Sequence, residues 1–348
     1  MSRSFRIAAA LLALTLVSTG CGRLAPVADG SRPLGCIEPT RRMTMYAEQL
    51  PSTPEGAIRL GWGLTPTTAV IPGPTIQMIE GECLAITVVN DISVATLAAL
   101  RDDPVLGSGD PAQPLGVSLH VHGVKYTQDS DGTLDTNSWV PPGQSRTYTW
   151  YAAPRVSAHG RVASLGTAGY WWYHDHVIGT AHGTGGMASG LVGGVVVRRP
   201  GDLKPDRPPF VVVMGPDQTI NFKRHPNTDR YAAYRGERVE FLVIDVGDDF
   251  HTFHLHGHNW ANNRTGFLQS QADETQLIDA KTIGPSETFG FQVIAGESVG
   301  DGEWMLHCHV QFHSDLGMVT FFDVLEPGSP IPSIPPVPAG GNVHVPHG

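Results

Sequence analysis

Charge, sulfur and helical patterning are all scarce in this chain of 348 residues. Asp, Glu, Lys and Arg together make up 16% of it, and cysteine occurs four times. Acidic residues outnumber basic ones 33 to 23, a formal net charge of −10, so there is no basic patch to hold a nucleic-acid backbone. Nucleic acid is therefore excluded as a partner, and the charge weakly favours cationic over anionic substrates. Long helical periodicity is missing beyond the first twenty residues, which excludes a helical fold.

What is present points to β structure. There are 41 Gly and 28 Pro, and β-branched runs such as Ala85-Ile86-Thr87-Val88-Val89 and Gly193-Gly194-Val195-Val196-Val197 recur between turn residues. The length suffices for two domains of ordinary size. Residues 1–21 form an expected signal peptide: Arg3 and Arg6, an apolar core from Ile7 to Val17, then Ser18, Thr19 and Gly20. The reading is a secreted or extracytoplasmic protein. Cys21 directly after Gly20 suggests a lipoprotein processing site, but Ser18 stands where Leu is usual. Lipid attachment at Cys21 and ordinary cleavage both stay open. Arg3 and Arg6 are not adjacent, so a twin-arginine signal is not supported.

Residues 22–35 are expected to be a flexible segment, 36–199 a first domain, 200–209 a Pro-rich charged connector, 210–326 a second domain, and 327–348 a disordered Pro/Gly-rich tail holding His344 and His347. Cys36 and Cys83 can form a disulfide in an oxidising compartment, although spacing alone does not bring their Cα atoms together. Cys308 is different, being flanked by histidines.

In the run Trp304-Met305-Leu306-His307-Cys308-His309-Val310-Gln311-Phe312-His313-Ser314-Asp315-Leu316-Gly317-Met318, a thiol, three imidazoles and the Met318 thioether fall within a dozen positions. Cys308, His313 and Met318 supply most of a blue copper centre, which needs two His, one Cys and a long axial Met. If the segment is extended, His307 and His309 point away from Cys308 toward a second metal centre. An electron at Cys308 then has a short covalent route to that centre.

Three more His-x-His pairs lie upstream: His120-Val121-His122 before Gly123, His174-Asp175-His176, and His254-Leu255-His256 in a segment that begins at His251. Residues two apart on a strand are about 6.5 to 7 Å from each other, a spacing that suits two neighbouring ions better than chelation of one. Chance arrangement of the histidines would give about 0.7 such pairs. The chain has five, counting His256 and His258.

These four segments resemble the copper-binding motifs of multicopper oxidases, in that family's order. More narrowly, the chain resembles the two-domain bacterial small laccases over about Arg41 to Val324, through Ser118-Leu119-His120-Val121-His122-Gly123, His174-Asp175-His176-Val177-Ile178-Gly179-Thr180 and His251-Thr252-Phe253-His254. The chain is too short for the three-domain laccase plan. The resemblance implies an all-β fold of two cupredoxin-like Greek-key β-sandwiches and four coppers per subunit. It implies that His251, Cys308 and His313 bind a type 1 copper with Met318 axial. His120 and His254 would serve a type 2 copper, and His122, His174, His176, His256, His307 and His309 a type 3 pair. Because each half carries two of the cluster's pairs, it also implies a homotrimer with one cluster at each subunit interface.

The implied activity is one-electron oxidation of a small reducing substrate coupled to reduction of dioxygen to water. By position, Tyr126 matches a tyrosine beside the cluster, Asp131 an acid that can relay protons, and Asp279 an acid of the substrate pocket near the type 1 site. Tyr126 and Asp131 also read as a buried structural tyrosine and a turn aspartate before Gly132. Asp249 and Phe250 precede His251 where relatives often carry aromatics, so Asp249 is a departure from the pattern. His182 and His258 have no assigned ligand role. Rival readings are a copper nitrite reductase, whose type 1 Cys would sit in the first domain, a cuprous or ferrous oxidase, and a copper-storage or electron-transfer protein.

Overall fold

The structure is a computed structural model and describes residues 32–54 and 56–331. The expected signal peptide, Cys21, His344 and His347 lie outside the described residues. No helix among the described residues is long and apolar enough to cross a membrane.

Among the described residues two pairs of β-sheets divide the chain. In the first half, one sheet runs in the order Arg59–Gly63, Arg41–Leu50, Cys83–Asn90, Ser145–Tyr151. It faces a second sheet of Gly73–Ile79, Val192–Arg198, Gly169–His174 and His120–Val121. Between them lie Trp62, Trp150, Tyr148, Leu84 and Val195. In the second half, Thr219–Ile220, Phe210–Gly215, Arg238–Asp245 and Thr288–Ile294 form one sheet. Tyr231–Tyr234, Val319–Leu325, Gly302–Cys308, His251–Leu255 and Ala280–Ile283 form the other. Phe241, Phe253, Phe291 and Phe322 fill that core. Cys36 and Cys83 are joined by a disulfide, with Cα atoms 5.5 Å apart.

Two strands break the usual in/out alternation for the same reason. Val192–Arg198 and nearly all of Arg238–Asp245 are buried on both faces, one against their own domain's core and the other against the opposite domain, so both faces are mostly apolar, with Arg198, Glu240 and Asp245 as buried charged exceptions. Trp172, Val192 and Val196 pack there on Val213, Leu242 and Ile244. Gly194 lets Leu242 approach at this seam, where a Cβ would lie 2.3 Å from Leu242 Cδ2 and force that side chain to shift. The start of the expected tail is tied down, with the Ser329 carbonyl accepting from Tyr234 Oη at 2.8 Å.

Candidate metal centres

Both domains build a histidine site by the same device. In the first, strand His120–Val121 pairs antiparallel with Gly169–His174 and sets His120 opposite His174. In the second, His251–Leu255 pairs with Gly302–Cys308 and sets His254 opposite His307. Directly opposed residues are close, so register alone brings two imidazoles together. The second histidine of each pair, His122, His176, His256 or His309, falls just beyond a strand end. The expected two-apart spacing along one strand face is thus replaced by a turn that brings the second ring inward.

Glycine makes that turn possible. Gly123 follows His122 with φ +79°, and a Cβ there would lie 1.9 Å from the Trp171 ring. Gly257 follows His256 with φ +69°, and a Cβ would lie 2.6 Å from the Trp304 ring. Only glycine tolerates both the left-handed backbone and the covering indole.

In the first domain His122 Nε2 and His174 Nε2 are 3.2 Å apart. The rings of His120 and His176 are centred 5.2 Å from each other, and that of His176 5.6 Å from His174. In the second domain His256 Nε2 and His307 Nε2 are also 3.2 Å apart, with the His254 ring 5.5 Å from that of His309. Tautomers are set from behind. Backbone carbonyls of Asp131, Asp175, Asp279 and Cys308 lie 2.6, 2.7, 2.9 and 2.8 Å from Nδ1 of His120, His174, His254 and His307. A carbonyl can only accept, so each Nδ1 carries the proton and each Nε2 lone pair is free for a cation. Burial lowers the pKa of His122 and His307 to about 4 and that of buried His174 well below the usual value. These imidazoles are neutral at pH 7, the form in which a ring nitrogen can bind a cation.

The third site lies on the other face of the Cys308 strand. His251 Nδ1 and His313 Nδ1 are 3.2 Å apart, and Cys308 Sγ is 3.8 and 3.7 Å from them. His313 comes from the short helix Gln311–Asp315. Met318 is fully buried in the same core, and its carbonyl accepts from the Cys308 N–H at 3.1 Å. The Thr252 N–H points at Cys308 Sγ from 3.4 Å. Burial raises the thiol pKa, so a bound cation is what would hold the sulfur as thiolate. One thiol and two imidazoles converging in an apolar pocket fit copper by donor type.

Thus His251, Cys308 and His313 come together, as do His120, His122, His174 with His176, and His254, His256, His307 with His309. Among the described residues no ring contact joins the two histidine sets, which stay in their own domains. Tyr126 and Asp131 both stand beside the first set. The Tyr126 ring is centred 5.8 Å from that of His120, and Asp131 Oδ1 is 3.6 Å from His120 Nδ1. Burial first, then the Asp131 carboxylate it bonds to, raises the Tyr126 pKa. Asp279, expected in a pocket near the type 1 trio, is seated against His254, with Oδ1 3.9 Å from that ring's Nδ1 and a side chain 64% exposed. His258 is structural: its Nε2 accepts from the Gly296 N–H at 2.9 Å, and its ring packs on Trp304 and Phe322. His182 lies edge-on to His176, ring centres 5.6 Å apart.

Sequence reading missed Asp175 and Trp172. Fully buried Asp175 accepts from the N–H groups of Ser118, Val177 and Ile178 at 2.8, 3.1 and 2.7 Å, bracing the loop between His174 and His176. Burial raises its pKa to about 7 against those bonds. Trp172 stacks on His174, ring centres 4.3 Å apart. A carboxylate between two histidines was the available signal for the first; nothing in the sequence distinguished Trp172 from its aromatic neighbours.

Two β-sandwiches with one thiol-imidazole trio and two histidine sets define a cupredoxin-type copper protein. Residues 203–328 match the family model for multicopper oxidases. Over 309 residues the chain is 30% identical to a probable nitrite reductase-hydroxylamine oxidoreductase fusion protein of Kuenenia stuttgartiensis, covering 82% of this chain and 31% of that protein. It is 27% identical over 256 residues to hephaestin of Mus musculus, covering 60% of this chain and 20% of the relative. It therefore spans a third or less of the length of these relatives. Its fold is similar to that of the blue copper oxidase from Nitrosomonas europaea, with a TM-score of 0.55 at 21% identity over 82% of this chain and 86% of the other. The chain belongs to the multicopper oxidase family.

Proposed function

We propose that this protein is a laccase-like oxidase that takes single electrons from phenolic or aromatic-amine donors and delivers them to dioxygen, giving water. His251, Cys308, His313 and Met318 would hold a type 1 copper. His120 and His254 would hold a type 2 copper, and His122, His174, His176, His256, His307 and His309 a type 3 pair. When bound, copper supplies one-electron redox chemistry at the first site and oxygen chemistry at the second.

The observation that carries this reading is the adjacency of Cys308 and His307. One belongs to the thiol trio and the other to a histidine set, so a single peptide unit links an electron entry point to an oxygen site. The peptide that follows, between Cys308 and His309, is clamped by Ser314, whose hydroxyl donates to the Cys308 carbonyl. Tyr126 and Asp131 can hold and move a proton beside His120. Separation of the two histidine sets supports a head-to-tail homotrimer in which each first-domain set meets a neighbour's second-domain set. Four coppers per subunit and an extracytoplasmic location complete the proposal.

Oxygen uptake measured side by side with a phenol, an aromatic amine and cuprous ion, with nitrite offered as an alternative electron acceptor to each donor, tests it. Uptake with the first two supports the laccase-like reading. Uptake with cuprous ion alone would assign a metal-ion oxidase on the same sites, and nitrite reduction without oxygen uptake would overturn the oxidase reading. Dilution to monomers should abolish type 3 absorption and spare the blue band, and an unchanged spectrum would rule out a shared interface cluster.

A further inference from the structure

We propose that the cavity between the two domains binds a small organic amine, with the Asp245 carboxylate receiving its ammonium group. The inference is independent of the oxidase reading. The cavity has a volume of about 600 Å³, the size of a small-molecule site. Leu100, Leu106 and Met187 line it from the first domain, and Val246 and Asp248 from the second.

Asp245 ends the strand Arg238–Asp245 and lines this cavity. It is fully buried, yet neither carboxylate oxygen has a hydrogen-bond partner among the described residues. Burying a carboxylate without partners costs several kcal/mol, and folded proteins rarely leave such a group unmatched. Two other lining groups share this condition: the indole N–H of Trp172 and the hydroxyl of Ser189, both buried and both unpartnered among the described residues. Ser189 and Trp172 thus add an unpartnered hydroxyl and an unpartnered N–H donor to the residues of the same cavity.

The sign of the ligand follows from the walls. Asp103, Asp217, Asp245 and Asp248 all line the cavity, while the lining guanidinium of Arg59 is engaged by the Ala188 carbonyl at 3.2 Å and lies over the Phe222 ring. Acidic groups set among aliphatic ones suit a cation with an apolar body. A bare metal ion fits less well. Each group of converging metal-type donors among the described residues is built from histidine and cysteine, and none includes a carboxylate of this cavity.

Benzylamine is the probe, with benzyl alcohol and Mn²⁺ as comparators, in titration calorimetry on the copper-loaded full-length protein. Benzylamine should bind, benzyl alcohol at least about tenfold more weakly, and Asp245→Asn should weaken the amine by at least about tenfold, the loss expected for one charge-assisted hydrogen bond. Ala99→Trp, at an exposed helical position on the cavity wall, should abolish binding without touching the carboxylate, and it decides the matter if Asp245→Asn does not fold. No benzylamine binding, equal binding by both variants, or displacement of the amine by micromolar Mn²⁺ would overturn the proposal.

Discussion

Arg198 of the first domain and Glu240 of the second form a two-pronged ion pair across the domain boundary, Nη1 to Oε1 at 2.7 Å and Nη2 to Oε2 at 2.6 Å, with both side chains buried. Tyr170 Oη and Gln292 Nε2 also donate to Glu240 Oε1, each from 2.9 Å. The two domains are thereby locked at one relative orientation. Glu240→Gln would leave the Arg198 guanidinium buried without a counter-charge, a loss of about 3–5 kcal/mol. The expected result is a lower urea midpoint, with the double variant Arg198→Met/Glu240→Leu recovering most of it. Equal loss in the single and double variants would mean that the pair does not act as a unit.

Cys308→Ser removes the sulfur from the buried trio but leaves the backbone at His307 and His309 in place. We expect loss of the intense blue absorption and of oxidase activity together, with about three quarters of the copper retained by metal analysis, since the soft thiolate defines only the type 1 site. Persistent blue colour would remove Cys308 from that site.

Gly123→Ala adds a methyl into the Trp171 ring at a residue with positive φ, a backbone conformation that already strains an alanine by about 1 kcal/mol or more. His122 should be displaced, so the variant is expected to fold while losing type 3 copper absorption. Gly257→Ala, under Trp304, should do the same from the other domain. Full copper loading in both variants would show that the covering indoles yield.

Asp245 gives a stability profile of unusual sign. Burial first, then the nearby carboxylates of Glu287 and Asp249, pushes its pKa up to about 8 from an ordinary 3.8. Between those values the unfolded chain has released a proton that the folded chain keeps. This group's contribution to stability therefore falls as pH rises from about 4 to 8 and is level outside that window. Asp245→Asn should match the parent near pH 4 and melt higher at pH 8, as read by thermal unfolding without added amine. A difference that does not change with pH would place the carboxyl at an ordinary pKa.

Much of the ligand set was legible because its chemistry is local. A thiol flanked by imidazoles, and His-x-His pairs far above chance, announce metal sites from composition and spacing. The two-sandwich plan followed from resemblance and from short β-branched runs between turns. Less legible was how the pairs are used, because a strand end and a turn cannot be told from an uninterrupted strand over three residues. That Asp279 sits against His254 was not legible for a related reason: which histidine a loop residue reaches depends on where the loop folds back. The apolar run Gly193–Val197 read simply as strand, although its two-faced burial marks a domain interface.

By itself, then, the sequence determined which side chains could bind metal and that Cys308 and His307 are one peptide bond apart, because covalent order is independent of folding. Tertiary structure alone decided which histidines meet, since strand register sets His120 against His174 and His254 against His307 across long stretches of chain. It also decided that, among the described residues, the two histidine sets stay in their own domains and the Asp245 carboxylate lies unpartnered between those domains. Those outcomes depend on packing between distant segments, which no local pattern encodes.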